Sequence, residues 1–279
     1  MSTNDLLAEL AAGVRGDVQA DPVSRALYAT DASIYQIMPA AVVLPLDEAD
    51  VAAALRVARR RQVPILPRGG GTSLAGQAVG QAIHLDFTKY MCRLLELNAA
   101  EGWAWVEPGM VLDRLNGLLA AHGLMFAPDI SPSNRATIGG MIGNNSSGMY
   151  SLKYGKTSDH VLALRIMLSD GTITTVEAID DEQLRTKLTL DSLEGRAYRT
   201  VRRLGREHAD EIERRFPKLL RRVGGYNLDS FHKPDRPFDL SRLIIGSEGT
   251  LAIVLAAKVR LVPRPKHTAI GVLAFESLE

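Results

Sequence analysis

Residues 67–76 read Pro-Arg-Gly-Gly-Gly-Thr-Ser-Leu-Ala-Gly and directly follow the short apolar segment 63–66, which we predict to be a strand. Three consecutive glycines bring no side chains to a core. Without Cβ atoms, the backbone N–H groups of residues 69–71 can converge on a negatively charged group. The hydroxyls of Thr72 and Ser73 can donate as well. The segment therefore predicts a nest of donors suited to a pyrophosphate, with a flexible surface loop as the alternative.

Two familiar phosphate-binding loops do not fit this segment. A Walker-type loop ends in Gly-Lys-Ser/Thr, and no lysine lies between Gly69 and Gln77. The dinucleotide fingerprint Gly-x-Gly-x-x-Gly, counted from Gly69, requires a third glycine where Leu74 stands. A P-loop and a Rossmann nicotinamide site are therefore disfavoured.

The segments around the glycine loop predict a β-α-β unit. Residues 41–46 are apolar and predict a strand, and Asp47 can cap a following helix that has an apolar stripe from Val51 to Ala58. Residues 63–66 return as the second strand. The other predicted elements are strands or hairpins at 82–87, 94–97 with 103–107, 161–168 with 172–176, 243–245 and 251–262, and helices at 111–119 and 192–215.

These elements predict an α+β fold made of two subdomains. The small subdomain contains the β-α-β unit, and the larger one has a mixed or antiparallel sheet with flanking helices. We expect the charged residues of 192–215 to form a solvated face. The expected divisions are an N-terminal helix and arm at 1–35, subdomains at 36–96 and 97–265, and the start of a linker at 266–279.

Composition excludes several classes of partner. Lys and Arg number 33 against 32 Asp and Glu, for a net charge of +1, and aromatic residues make up 5%. This balance offers no general attraction to nucleic acid or to an anionic membrane. The longest apolar run, 251–257, is too short to span a bilayer, and the N-terminus lacks the pattern of a signal peptide. We therefore predict a cytoplasmic protein, with an electron acceptor as a route to peripheral membrane contact.

The sequence also predicts no metal site. Cys92 is the single cysteine, and the six histidines lack metal-ligand spacing. We expect them to be surface or core histidines, with His232 the one that merits attention.

Five segments, in this order, together resemble one family. They are Pro67 to Ala75, Pro128 to Ser133, Thr137 to Gly148, Tyr154-Gly155 and Gly246-Ser247-Glu248-Gly249-Thr250-Leu251. They resemble the FAD-linked oxidases, flavoproteins similar to vanillyl-alcohol oxidase that have a PCMH-type FAD-binding fold. The resemblance is greatest to the branch of glycolate oxidase D-subunits, D-lactate dehydrogenases and D-2-hydroxyglutarate dehydrogenases. It covers roughly residues 40–265.

The resemblance implies a set of FAD-binding residues. It assigns the pyrophosphate to the glycine loop, the flavin end of the groove to the segment from 128, the pyrophosphate and ribityl region to 137–148, the adenine end to Val161, and the closure of the groove to 248–253. The implied cofactor-binding residues are Arg68, Gly69, Gly70, Gly71, Thr72, Ser73, Pro128, Asp129, Ser131, Thr137, Gly140, Gly143, Asn144, Ser147, Gly148, Val161, Glu248, Gly249 and Ile253. Some members attach FAD covalently through a histidine in the glycine loop. Thr72 and Ser73 stand there instead, so non-covalent FAD is expected.

The resemblance further implies oxidation of a 2-hydroxy acid to a 2-oxo acid, with hydride transfer to flavin N5. A cationic clamp would hold the substrate carboxylate, and Arg68, Arg135 and Lys153 are candidates. In this branch a C-terminal cap domain supplies catalytic groups, and the sequence stops at Glu279. We therefore expect the catalytic residues to lie in a cap domain or partner subunit, with an iron–sulfur module as one candidate electron acceptor. The alternatives are a non-catalytic FAD-binding subunit or fragment, or a lactone- or alditol-oxidase type of flavoenzyme.

Overall fold

The computed structural model describes residues 3–222, 224–233, 236–267 and 269–277. Their helices are α1 (Thr3–Gly13), α2 (Pro22–Leu27), α3 (Glu48–Arg61), α4 (Leu112–Leu119), α5 (Ile138–Asn144), α6 (Ser151–Tyr154), α7 (Thr157–His160), α8 (Asp181–Thr189), α9 (Leu193–Glu207), α10 (Ala209–Arg215) and α11 (Ser241–Ile244), with 3-10 turns at Ala120–His122 and Leu228–Ser230. None of the helices in these ranges is long and apolar enough to cross a membrane.

The strands form two main sheets and one short pair. They are β1 (Asp17–Gln19), β2 (Ala41–Leu44), β3 (Ile65–Arg68), β4 (Ile83–Asp86), β5 (Leu94–Asn98), β6 (Trp103–Val106), β7 (Leu124–Met125), β8 (Val161–Met167), β9 (Ile173–Ile179), β10 (Phe238–Asp239), β11 (Ile253–Arg260) and β12 (Val262–Pro263). The small sheet has the order β1-β2-β4-β3 and the large sheet β10-β9-β8-β11-β6-β5, while β7 pairs with β12. The predicted α+β class, with a small mixed sheet and a larger antiparallel one, is confirmed.

The β-α-β unit forms as predicted and carries the glycine loop. Asp47 caps α3 by accepting from the N–H groups of Ala49 and Asp50, and Gln62 ends the helix in the left-handed conformation. Strands β2 and β3 lie parallel on either side of β4. The glycine loop begins where β3 ends, at the carboxyl edge of the small sheet.

One predicted element is wrong. Residues 243–245 were expected to be a strand, yet residues 241–244 form the helical turn α11. Short apolar runs do not distinguish a buried helical turn from a strand. Here Ile244 and Ile245 are both buried. In a strand with one face toward solvent, neighbouring side chains point to opposite faces, so one of the two would be exposed.

Two apolar cores share the large sheet. One core lies between that sheet and helices α4, α5 and α9. The other lies between the small sheet, α1 and α3, and it also takes in Met167, Ile253 and Leu255 from β8 and β11. The division at residues 96 and 97 stays a prediction.

Candidate functional site

A cleft of about 470 Å³ opens where the two sheets meet, a size typical of ligand pockets. Its walls come from the glycine loop, from α5 with the residues that follow it, and from the turn at 247–249. Fourteen of the predicted site residues line it: Arg68, Gly69, Gly70, Gly71, Thr72, Ser73, Ser131, Thr137, Gly140, Gly143, Asn144, Ser147, Glu248 and Gly249.

The glycine loop offers the cleft a run of unpartnered donors. The backbone N–H groups of residues 69–74 donate no hydrogen bond to any described residue. The hydroxyls of Thr72 and Ser73 donate none within the described residues either. Backbone donors aimed at one concavity make an anion-binding nest. The loop therefore has the donor set that a pyrophosphate needs, without a formal positive charge from these residues.

Two of the glycines are required for a second reason, which sequence reasoning missed. A Cβ atom on Gly69 would lie 2.2 Å from Thr137 Oγ1, and one on Gly70 would lie 2.4 Å from the Arg135 carbonyl oxygen. The loop thus packs directly against the segment that precedes α5. By contrast, a Cβ atom on Gly143 would meet only Glu248, at 3.8 Å.

Arg68 anchors the loop from behind. Its guanidinium donates to the carbonyl oxygens of Tyr28 (3.3 Å), Thr30 (2.7 Å) and Ala78. The N–H of Ala32 donates to the Gly71 carbonyl (3.0 Å). Because three carbonyls already accept from Arg68, the geometry does not favour its predicted role as a substrate clamp.

The N-terminal arm therefore braces the loop, which sequence analysis did not foresee. Tyr28 also donates its hydroxyl to the buried carboxylate of Asp86 (2.6 Å). Burial, together with this acceptor, raises the pKa of Tyr28 well above its usual value. Tyr28 is therefore a neutral donor that ties the arm to the end of β4.

Helix α5 does not present free donors at its N-terminus. The N–H of Ile138 donates to the Met110 carbonyl and that of Gly139 to the Pro108 carbonyl, each at 2.8 Å. The N–H of Gly140 donates to Thr137 Oγ1 at 3.2 Å. Thr137 is thus a capping residue, and the anion-binding donors of the cleft belong to the glycine loop.

The turn after α11 docks on the other end of α5. Glu248 adopts a positive φ of 52°, and its N–H donates to the Gly143 carbonyl (3.0 Å). Its carboxylate accepts from Asn144 Nδ2 (2.9 Å) and from Gln77 Nε2 (3.5 Å). One carboxylate therefore joins α5, the turn and the far end of the glycine loop.

Five predicted site residues do not line the cleft. Asp129 accepts from the N–H of Tyr150 (2.9 Å), and Gly148 packs against Asp129 so closely that a Cβ atom would lie 2.1 Å from its carbonyl oxygen. Val161 begins β8, and Ile253 is buried in the core under the small sheet. Pro128 is the fifth. These residues shape the segments beside the cleft rather than its surface.

Sequence reasoning also missed several lining residues. The cleft includes Gln77, Phe87, Pro108, Gly139 and Ser247. Gln77 lies only a few residues beyond the glycine loop, so its position alone could have suggested it. Gly139 and Ser247 lie within the segments 137–148 and 246–251 that carry the resemblance, whereas no local signal marks Phe87 and Pro108.

The remaining candidates lie outside the cleft. Arg135 and Lys153 are exposed, and Lys153 lies over the ring of Tyr154. The ring of His232 hydrogen-bonds to the Asp229 carbonyl (2.9 Å) and to Glu213 (2.8 Å). No described histidine or cysteine lines the cleft.

Comparison with known proteins agrees with the geometry. Residues 39–177 match the family model described as "FAD binding domain". Residues 39–177 belong to the FAD binding domain family. This FAD binding domain contains the glycine loop, α5 and the hairpin β8–β9.

The FAD binding domain has curated relatives among the hydroxyacid dehydrogenases. D-2-hydroxyglutarate dehydrogenase of Pseudomonas putida is 42% identical over 92% of this chain and 26% of its own length. Glycolate oxidase subunit GlcD of Bacillus subtilis is 31% identical over 91% of this chain and 44% of its own length. The chain thus spans from about a quarter to less than half of the curated relatives it matches.

A solved structure shares the fold. An alkyldihydroxyacetonephosphate synthase matches 96% of this chain and 42% of its own chain with a TM-score of 0.67 at 20% identity. The two chains therefore share the α+β arrangement around the cleft.

Proposed function

We propose that this chain is the FAD-binding part of a flavin-dependent D-2-hydroxyacid dehydrogenase that converts a 2-hydroxy acid to a 2-oxo acid. The proposal that the chain binds FAD rests on the run of unpartnered backbone donors at residues 69–74. The hydroxyacid part rests on the similarity to a D-2-hydroxyglutarate dehydrogenase over nearly the whole chain.

The lining of the cleft fits FAD. The amides of 69–74 and the hydroxyls of Thr72 and Ser73 would hold the pyrophosphate. Asn144 and Ser147 add neutral polar groups farther along the wall. Gly143 has no side chain there that would narrow the cleft. Because no described histidine or cysteine lines the cleft, we propose that the cofactor is held without a covalent bond.

Bound FAD would supply the acceptor for the hydride that leaves the substrate carbon. The residues of this chain hold and orient the cofactor. Of the lining side chains, only Arg68 and Glu248 are ionisable, and each is already engaged in hydrogen bonds within the protein. The carboxylate clamp and the base for the hydroxyl proton would therefore come from the rest of the enzyme.

The surface beside the cleft fits a covering domain or partner subunit. Leu74, on the glycine loop, is 79% exposed, and Ile34 in the adjoining arm is 94% exposed. Met149 and Leu152 are exposed in the segment after α5. Large exposed apolar side chains that cluster at a site mark interaction surfaces. We propose that the remaining part of the enzyme packs here and carries the catalytic groups.

The first experiment is the visible spectrum of the purified chain during titration with FAD, followed by acid precipitation. The proposal expects a flavin spectrum that is released into the supernatant. A T72V/S73A variant should bind FAD about tenfold more weakly because two donors are lost, whereas S169A, in an exposed hairpin turn, should bind as the wild type does. Equal affinity in all three proteins would contradict the placement of the pyrophosphate.

The second experiment mixes full-length holoenzyme with D- and L-2-hydroxy acids, a lactone and an alditol. Bleaching of the flavin absorbance by a D-2-hydroxy acid supports the proposed reaction. Bleaching only by the lactone or alditol would assign another reaction on this fold. Bound FAD that no donor reduces would identify a non-catalytic FAD-binding subunit.

A further inference from the structure

Helix α9 bears a stripe of arginines away from the cleft. Each of Arg196, Arg199, Arg202, Arg203 and Arg206 lies three or four residues from another of the set, which places them along one side of the helix. The buried side of α9 is formed by other residues, among them Tyr198, Val201 and Gly205. The arginine stripe therefore lies outside the buried side of the helix.

The stripe borders a second concavity, of about 320 Å³. Its lining consists of Leu188, Arg199, Arg202, Arg203, Arg206 and Glu207. Four arginine side chains thus line one concavity, with a single apolar residue and a single acid beside them.

The charges in this concavity are not balanced within the described part of the chain. Glu207 pairs with Arg203 at 2.7 Å. No acidic side chain among the described residues pairs with Arg199, Arg202 or Arg206. The next helix differs, because Arg214 and Arg215 of α10 both pair with Glu211. Like charges that line one concavity repel one another, and a bound anion reduces that repulsion.

One guanidinium group of the concavity is held by hydrogen bonds, and a second has a buried donor without a described partner. Arg199 donates to the carbonyl oxygens of Leu188 (2.7 Å) and Leu190 (2.8 Å), at the end of α8. The Nε atom of Arg202 is buried and has no acceptor in the described residues. A buried donor without a partner costs free energy.

We infer that this concavity binds the phosphate group of a ligand. Four arginines and one glutamate leave a net charge of +3, which suits a multiply charged anion. Guanidinium groups match the oxygens of phosphate in geometry as well as charge. The source of the phosphate is either a free phosphate or phosphate monoester, or the headgroup of an anionic phospholipid. This site is independent of the FAD cleft, since none of its residues lines that cleft.

The test measures binding of inorganic phosphate by calorimetry at constant ionic strength, with FAD present. R202Q/R206Q removes two charges from the concavity, and R214Q/R215Q removes two exposed charges from α10 as the matched control. Saturable binding is expected for the wild type and the control. R202Q/R206Q should bind at least about tenfold more weakly. A parallel arm measures co-sedimentation with vesicles of phosphatidylcholine with and without phosphatidic acid.

Each outcome decides the inference. Binding of phosphate, or of phosphatidic acid vesicles alone, supports it when R202Q/R206Q loses the binding and R214Q/R215Q keeps it, and the two arms identify the source. Equal losses in both double variants, or no saturable binding in either arm, would overturn it. R206Q alone, at an exposed position, serves as a second variant if R202Q/R206Q does not fold.

Discussion

At the scale of single residues, Gly70 and Gly143 line the same cleft but are glycines for different reasons. A Cβ atom on Gly70 would lie 2.4 Å from a backbone carbonyl oxygen, whereas one on Gly143 would have ordinary contact distances. We expect G70A to lower the free energy of unfolding by about 1–3 kcal/mol, because the backbone must shift. G143A should leave stability unchanged or raise it slightly, since alanine is the better helix former, while it weakens FAD binding by narrowing the cleft. Urea unfolding of the apoprotein and FAD titration separate the two effects, and a stability loss in G143A as large as that in G70A would contradict this explanation.

His84 is a buried histidine outside the cleft, with its Nε2 atom 3.0 Å from the Gly80 carbonyl oxygen. Burial lowers the pKa of His84 to about 4, and the positive charge of Arg68 acts in the same direction. The unfolded chain binds this proton near pH 6.5, so protons favour unfolding between these two values. Stability from this residue is fully present above pH 6.5 and is lost as the pH falls toward 4, with a total effect of about 3 kcal/mol.

The measurement is urea unfolding at several pH values between 7 and 4. H84Q should flatten the fall in stability across this range, whereas H122Q, at an exposed position, should follow the wild type. A fall of the same steepness in H84Q would show that other groups cause the acid sensitivity.

At the scale of elements, the bracing of the glycine loop by the N-terminal arm is the main feature that the sequence did not predict. Arg68 makes the connection through three carbonyl oxygens, which belong to Tyr28, Thr30 and Ala78. R68K should break most of this connection, because a lysine ammonium cannot reproduce the planar fork of donors. We expect faster amide hydrogen exchange at Ala32 and Ala78, whose N–H groups are hydrogen-bonded between the arm and the loop region, and FAD binding weakened by about tenfold.

R60K is the matched control for R68K, since Arg60 is exposed and pairs with Glu9 on the far helices of the small subdomain. Its amide exchange at Ala32 and Ala78 and its FAD affinity should equal those of the wild type. Unchanged exchange in R68K would mean that the arm does not hold the loop.

The β-α-β unit, the two hairpins and the glycine loop could be predicted because their signals are local. Asp47 lies at the start of α3, and the triple glycine directly follows β3. The carbonyl partners of Arg68 could not be predicted, because every residue has a backbone carbonyl oxygen and the sequence does not show which of them accepts a hydrogen bond. Gln77 illustrates the same limit, because its link to Glu248 joins residues far apart in the chain. The glycine loop was therefore located correctly while its supports were not.

At the scale of the whole molecule, the two apolar cores are connected through the large sheet. Met167, Ile253 and Leu255 belong to β8 and β11 yet pack in the core under the small sheet. Arg165 of β8 also forms a two-point ion pair with Glu48 of α3 (2.6 and 2.8 Å). We therefore expect the subdomains that the sequence suggests to unfold together.

V43A in β2 tests this coupling. Val43 is fully buried, so its loss should lower the free energy of unfolding by about 1–3 kcal/mol. Both tryptophans, Trp103 and Trp105, lie in β6 of the large sheet. Their fluorescence midpoint should fall as far as the circular dichroism midpoint does, and V23A, at an exposed position, should change neither. A fluorescence midpoint that stays at the wild-type value would show that the two sheets unfold separately.

Peptide N–H groups do not titrate in the range of pH over which proteins fold, and all residues except proline have one. A loop that binds through the amides of 69–74 keeps its donors whatever side chains stand at 72–74, provided that the backbone keeps its path. Substitutions there can change the surroundings of a bound diphosphate without deleting the site. Proline is the one replacement that removes an amide donor outright.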